Sequence, residues 1–317
     1  MRAYSSNRTC SQSSRLRLLR STCKAKKHDT ITSVAPKRSR KQINAYVDEK
    51  HKIFACLPPK SGCTTWKTIL ANNSFDEPFQ LKDVMQIHIL AITGQIPGAV
   101  HFQQLSPEKK DEVLNSKEYF RFMVARHPLE RIYSAYKDKI VGGGTFCRQV
   151  LKMVRKNITK EKSKSCDGVT FREFVQFLQS RRPKDPHFAP INNDFFPCFI
   201  KYDYIVKTES MDVDNEYIID RFLGPTKRGM GTVKNVFVGN EVSKDWSSLL
   251  SPKGRLLEAY KTLTAEDVAF LVDWFKEDFL HFGYDWRVEN NTGKAAVYSL
   301  CRTKGGKGKG KGKDLCC

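Results

Sequence analysis

Ile53-Phe54-Ala55-Cys56-Leu57-Pro58-Pro59-Lys60-Ser61-Gly62-Cys63-Thr64-Thr65-Trp66-Lys67 is the stretch that sets the fold class. Its first five residues are a short apolar run of the kind a buried strand shows. Pro58 to Gly62 stop that run, and Thr65 to Ala71 are helix-compatible, which gives strand, loop, helix. The layout returns downstream. Tyr119 to Ala125 is apolar and aromatic, Arg126-His127-Pro128 breaks it, and Leu129, Ile132, Tyr133, Tyr136 and Ile140 recur at helical spacing, with Pro128 suited to the first turn. Gly142-Gly143-Gly144 is expected to end this helix and open a loop region through Asn157 to Cys166. Tyr204-Ile205-Val206 reads as another buried strand, and Thr170 to Glu173 and Thr264 to Asp267 read as capping boxes of packing helices. Strands alternating with helices predict an α/β fold, a mainly parallel sheet flanked by helices.

The 317 residues are 40% hydrophobic and 28% charged, enough apolar material for a large domain and too much for disorder throughout. No stretch approaches the roughly 18 uninterrupted apolar residues of a spanning helix, so no bilayer span is expected in the chain. The formal charge of +21 is concentrated at the ends. Residues 1–52 hold 14 Lys/Arg against 3 Asp/Glu and residues 302–317 hold 6 against 1, leaving 35 against 30 between them. Residues 1–51 therefore read as a basic, disordered stem or linker, 52–301 as the folded domain, and the Gly/Lys-alternating 302–317 as a disordered tail. The modest core charge and the lack of a nucleic-acid module argue against a nucleic-acid partner. Ten cysteines without a C-x-x-C pair favour structural disulfides over metal, with Cys147, Cys166 and Cys198 spaced as candidate partners. Sequons at Asn72, Asn157 and Asn290 would be usable in the secretory pathway.

In Pro59 to Lys67 the small residues let backbone N–H groups converge at a helix N-terminus. Thr64 and Thr65 add hydroxyls, and Lys60 adds a point charge, which together suit a phosphate or sulfate. The Walker spacing G-x-x-x-x-G-K-[ST] is absent, which weakens a nucleotide-dependent phosphotransferase reading. The plain alternative is an ordinary capped turn. Arg126-x-Pro128-x-x-Arg131-x-x-Ser134-x-Tyr136, again after a strand, can clasp a second phosphate through Arg126, Arg131 and Ser134. The alternative for the two arginines is surface pairing with Glu130 or Asp138.

In order and spacing the pair resembles the donor-binding segments of sulfotransferases, and most closely those of the Golgi carbohydrate sulfotransferases that include the HNK-1, chondroitin/dermatan and GalNAc 4-O enzymes. The matching stretches are Pro59 to Lys67 and Met123 to Lys139, the latter with Ala125 as its one departure. Two more follow: Pro186-His187-Phe188-Ala189-Pro190 with Cys198 and Tyr202 to Glu209, and Asp278-Phe279 with Phe282-Gly283-Tyr284. The resemblance implies a P-loop-like sulfotransferase fold and a Golgi location. It also implies 3′-phosphoadenosine 5′-phosphosulfate as sulfate donor, no metal, and a glycan or proteoglycan acceptor such as a glycosaminoglycan. That family begins with a signal-anchor helix, which these residues do not show. It also carries a second cysteine where this chain has Asn192-Asn193-Asp194, so a different disulfide pattern is expected.

For sulfuryl transfer, Lys60 is expected to stabilise charge on the bridging oxygen, and the backbone of Ser61, Gly62, Cys63, Thr64 and Thr65 to hold donor oxygens. Arg126, Ser134 and Arg131 take the 3′-phosphate, and Trp66 packs on adenine or on the core. His187, in a Pro-flanked loop, is the candidate general base, with His101 and Glu209 in reserve. Lys137, Lys139, Arg148 and Lys152 either line a groove for a polyanionic acceptor or form a solvated face. A basic polyanion- or heparin-binding protein without catalysis is the non-enzymatic alternative.

Overall fold

The structure, a computed structural model, describes residues 11–25, 43–73, 84–155, 168–224 and 252–286. The helices are α1 (Gln12–Ala25), α2 (Cys63–Asn72), α3 (Val84–Ile92), α4 (Pro107–Asn115), α5 (Pro128–Tyr136) and α6 (Thr145–Val154), followed by α7 (Phe171–Arg181), α8 (Ile191–Phe195) and α9 (Met211–Ile218). Three more close the described chain: α10 (Pro252–Lys261), α11 (Ala265–Trp274) and α12 (Lys276–Phe282). The strands are β1 (Ala45–Asp48), β2 (Ile53–Cys56), β3 (Val100–His101), β4 (Phe120–Ala125) and β5 (Tyr204–Lys207), in the spatial order β3-β1-β2-β4-β5. The sheet is mixed. β2, β4 and β5 run parallel, with Cys56 beside Met123 and Phe122 beside Tyr204, whereas β1 is antiparallel to both β2 and β3.

The parallel strands are apolar on both sides because both faces are covered. Ile53, Ala55, Phe122, Val124, Tyr204 and Val206 pack with Trp66 and Leu70 of α2, Ile87 of α3 and Met211 and Ile218 of α9. Phe54, Cys56, Met123, Ala125 and Ile205 pack on the opposite face with Leu19 of α1, Val113 of α4, Ile191 of α8 and Phe282 of α12. A third apolar cluster joins α5, α6, α7, α11 and α12 through Ile132, Leu151, Phe174, Leu271 and Phe279. Both expected capping boxes are present, on α7 and α11, each satisfying two otherwise orphaned backbone donors.

The residues read as a stem contain structure, and the fold does not begin at Lys52. Strand β1 is fully buried, and α1 buries Arg15, Leu19 and Cys23 at four-residue steps. The Gln12 amide pairs with both the N–H and the C=O of Ile205, as a neighbouring strand would, and so closes the exposed edge of β5. Arg15 donates to the same carbonyl and forms a buried ion pair with Asp214 at 2.7 Å. A disulfide joins Cys23 to Cys198, and Cys147 is also disulfide-bonded. The region after Gly142 is corrected as well. The helix past Tyr136 widens into a π turn, Lys137–Val141, and α6 begins at Thr145, so a helix occupies the first half of the expected loop. Residues 156–167, with the Asn157 sequon and Cys166, lie outside the described residues, as do Asn290 and the 302–317 tail. Asn72 is buried at the end of α2, which withdraws its sequon from the folded surface. Among the described residues no helix is long and apolar enough to cross a membrane.

Candidate active site

The carboxyl ends of parallel strands β2, β4 and β5 open onto one edge of the sheet, where ligands bind in folds of this kind. After β2, Ser61 N–H donates to the Pro58 carbonyl across a turn that puts Lys60 at φ 65°. A non-glycine residue in this left-handed region costs on the order of 1–3 kcal/mol, a strain that clusters at functional sites. Gly62 follows at φ 84°, where a Cβ would stand 2.5 Å from the Met211 methyl. The Met211 methyl could swing aside, so it is the left-handed φ that favours glycine here. Among the described residues no side chain caps α2, whose N-terminus lies beside the Lys60 turn. The Ser61 hydroxyl is buried and has no hydrogen-bond partner among the described residues. A helix N-terminus without a side-chain cap, beside a lysine and a buried hydroxyl, suits an anionic group.

Arg126, at the end of β4, donates to the Lys60 carbonyl at 3.0 Å and pairs with Glu130 at 3.5 Å. The structure thus joins the two motifs directly, since the arginine of the second holds the backbone of the first. Lys60 Nζ meets the Asp138 carboxylate at 3.2 Å, and Lys139 meets it at 3.1 Å. Burial works against the ionised Asp138, but the two ammonium groups overcome it and hold the carboxyl below its usual value. Ser134 is half-buried, and its hydroxyl makes no hydrogen bond among the described residues. Cys63 and Thr64 are partly exposed at the helix start, whereas Thr65 is buried.

Arg131, expected at the 3′-phosphate, and Trp66, read on adenine or on the core, are both buried. Arg131 is fully buried: it donates to the carbonyls of Pro186 and Ala189 and lies 3.8 Å from the equally buried Asp278. Asp278 in turn accepts the N–H groups of Ile191 and Asn192. The pair clamps both ends of the 186–192 loop. Of the two readings of Trp66 the structure has the core, because its ring is buried with its centroid 4.4 Å from that of Phe122.

His187 sits on the clamped loop, and its Nδ1 lies 2.7 Å from Asp185 Oδ1, which also accepts the His187 backbone N–H. Burial raises the Asp185 carboxyl, but His187 outweighs that, with help from Lys139, and holds it low. Lys139 thus adds positive charge near this dyad as well as pairing with Asp138. Asp185 is the residue that the sequence reading missed; the Asp-Pro turn opening the loop was its available signal. The reserves are committed elsewhere. His101 bonds Asn44 and caps the 3₁₀ turn after β3, and Glu209 accepts the Tyr284 hydroxyl at 3.1 Å. Arg148 and Lys152 are exposed one turn apart on α6, Lys137 is exposed and Lys139 half-buried. Cys23, Cys198 and His281 lie within metal-ligand reach of one another, but the disulfide leaves no thiolate to bind an ion.

The profile described as the sulfotransferase family matches residues 44–285, from β1 to just past α12. This chain belongs to the sulfotransferase family. The sulfotransferase chain is 27% identical over 251 residues to carbohydrate sulfotransferase 9 of Homo sapiens, covering 75% of this chain and 52% of that protein. It is 29% identical over 222 residues to carbohydrate sulfotransferase 14 of Danio rerio, covering 68% of this chain and 58% of that one. Carbohydrate sulfotransferase 11 of Rattus norvegicus is 26% identical over 253 residues, with coverages of 75% and 66%. The chain thus spans between about half and two thirds of the length of these relatives. No solved structure matches it significantly.

Proposed function

We propose that this chain transfers a sulfuryl group from 3′-phosphoadenosine 5′-phosphosulfate to a hydroxyl of a glycan, with a chondroitin/dermatan or GalNAc-type acceptor in the Golgi lumen. The observation that carries the reading is the meeting of Lys60, the uncapped α2 N-terminus and Arg126 at the carboxyl ends of β2 and β4. The relatives' names support a carbohydrate acceptor. When bound, the donor supplies an activated sulfuryl group on a phosphate leaving group. Lys60 and the first N–H groups of α2 neutralise the charge that grows on the leaving oxygen. Arg126 fixes the Lys60 loop and, with Ser134, offers donors to the 3′-phosphate. Asp185 accepts the Nδ1 proton of His187, which leaves Nε2 free to take the proton of the attacking hydroxyl. Lys137, Lys139, Arg148 and Lys152 supply positive potential beside the site for an anionic glycan.

The test is transfer of labelled sulfate to desulfated chondroitin, dermatan and N-glycan acceptors. Wild-type transfer is expected, and its absence together with absent donor binding would sink the reading. His187→Gln should lower turnover about 10²- to 10⁴-fold with little change in donor affinity; near-normal turnover would dispose of the base assignment. Arg126→Ala should weaken binding of adenosine 3′,5′-bisphosphate at least tenfold by calorimetry, about what loss of a charge-assisted hydrogen bond costs. Unchanged affinity would remove Arg126 from the site.

A further inference from the structure

We infer that Asp138 is an internal competitor for the donor: its carboxylate occupies the Lys60 ammonium and must leave it when the donor's 5′-phosphate group binds. This inference rests on the reading of the Lys60 loop given above. Asp138 bridges Lys60 at 3.2 Å and Lys139 at 3.1 Å, so one carboxylate serves both ammonium groups.

The backbone that delivers it is specialised. Asp138 stands in the π turn, a form concentrated at functional sites. Gly142 closes that turn, and any side chain there would press on the Asp138 carbonyl. The contact is also cheap to open. The side chains of Lys60, Asp138 and Lys139 are 23%, 42% and 34% exposed, so the bridge is screened and a more highly charged phosphate can displace it. Glu130 stands in a similar relation to Arg126, but its side chain approaches only to 3.5 Å. Asp138 thus adds a cost to every ligand that engages Lys60 and none to a ligand that stops short of it.

The experiment compares adenosine 3′,5′-bisphosphate with adenosine 3′-monophosphate, which lacks the group that reaches Lys60, by calorimetry on wild type, Asp138→Asn and Asp138→Ala. Both variants should keep the wild-type melting temperature. They should bind the bisphosphate about two- to fivefold more tightly, the scale of one partly screened charge pair, and leave 3′-monophosphate affinity unchanged. Glu118→Gln removes the same charge from an exposed position at the opposite end of β4 and should leave both affinities alone. Unchanged or weaker bisphosphate binding in both Asp138 variants overturns the inference, as does equal tightening by Glu118→Gln. If wild type and variants all fail to bind the bisphosphate, the reading of the loop falls and the inference falls with it.

Discussion

Lys60→Ala is expected to lower sulfate transfer by about two to three orders of magnitude while shifting the melting temperature by no more than about 2 °C. The first figure is the usual cost of deleting one preorganised group aimed at developing charge. The second follows from what Lys60 does for the fold. Its ammonium makes a half-exposed bridge to Asp138, worth under about 1 kcal/mol. Its backbone carbonyl, which receives Arg126, survives the substitution, and alanine meets the same left-handed φ as lysine. Labelled-sulfate transfer beside a thermal melt separates the two effects. Transfer within about threefold of wild type would take Lys60 out of the chemistry, and a large drop in melting temperature would make it a folding residue.

Arg131→Met should act in the opposite sense, on stability first. It strands the Asp278 carboxyl in a site without solvent and cuts two donors from the 186–192 loop, a change of about 3–5 kcal/mol at neutral pH. For a domain of this size that is roughly a 10 °C fall in melting temperature. The pH dependence gives the mechanism away. Burial raises Asp278 to about 6 even with Arg131 and two backbone N–H groups opposing it. A carboxyl raised by folding adds stability that is complete below its ordinary value of 3.8 and is lost as pH rises through about 6. Without Arg131 that window moves to higher pH. The variant should therefore be damaged less at pH 5 than at pH 7.5, and Asp278→Asn should restore part of the loss. Denaturant unfolding at the two pH values checks this. Wild-type stability with lost bisphosphate affinity would return Arg131 to the donor site.

Arg126 and Arg131 also show how far the sequence could be read. Both belong to one motif, and helical spacing alone puts Arg131 beside Ser134. What sends Arg131 inward is Asp278, which reaches it from α12 and has no local signature near position 131. The units β2 to α2 and β4 to α5 were legible because apolar runs ending in Pro and Gly dictate their own local structure. The two capping boxes were legible for the same reason. Helix α1 was not, because its buried stripe includes Arg15, and an arginine paired with Asp214 looks in sequence like one left in water. The edge-closing role of Gln12 was hidden likewise, since its partner is Ile205. Asp185 escaped because a side chain that orients a histidine two residues on is also an ordinary turn former.

The bond between Cys23 and Cys198 sets an order of events during biosynthesis. The two cysteines are 175 residues apart, and at about 5–20 residues per second the second is made roughly ten to thirty-five seconds after the first. For that interval Cys23 must stay unpaired while Cys56, Cys63, Cys147 and Cys166 emerge as competing partners. Helix α1, made well before the loop that carries Cys198, is thus among the later elements to be locked in place.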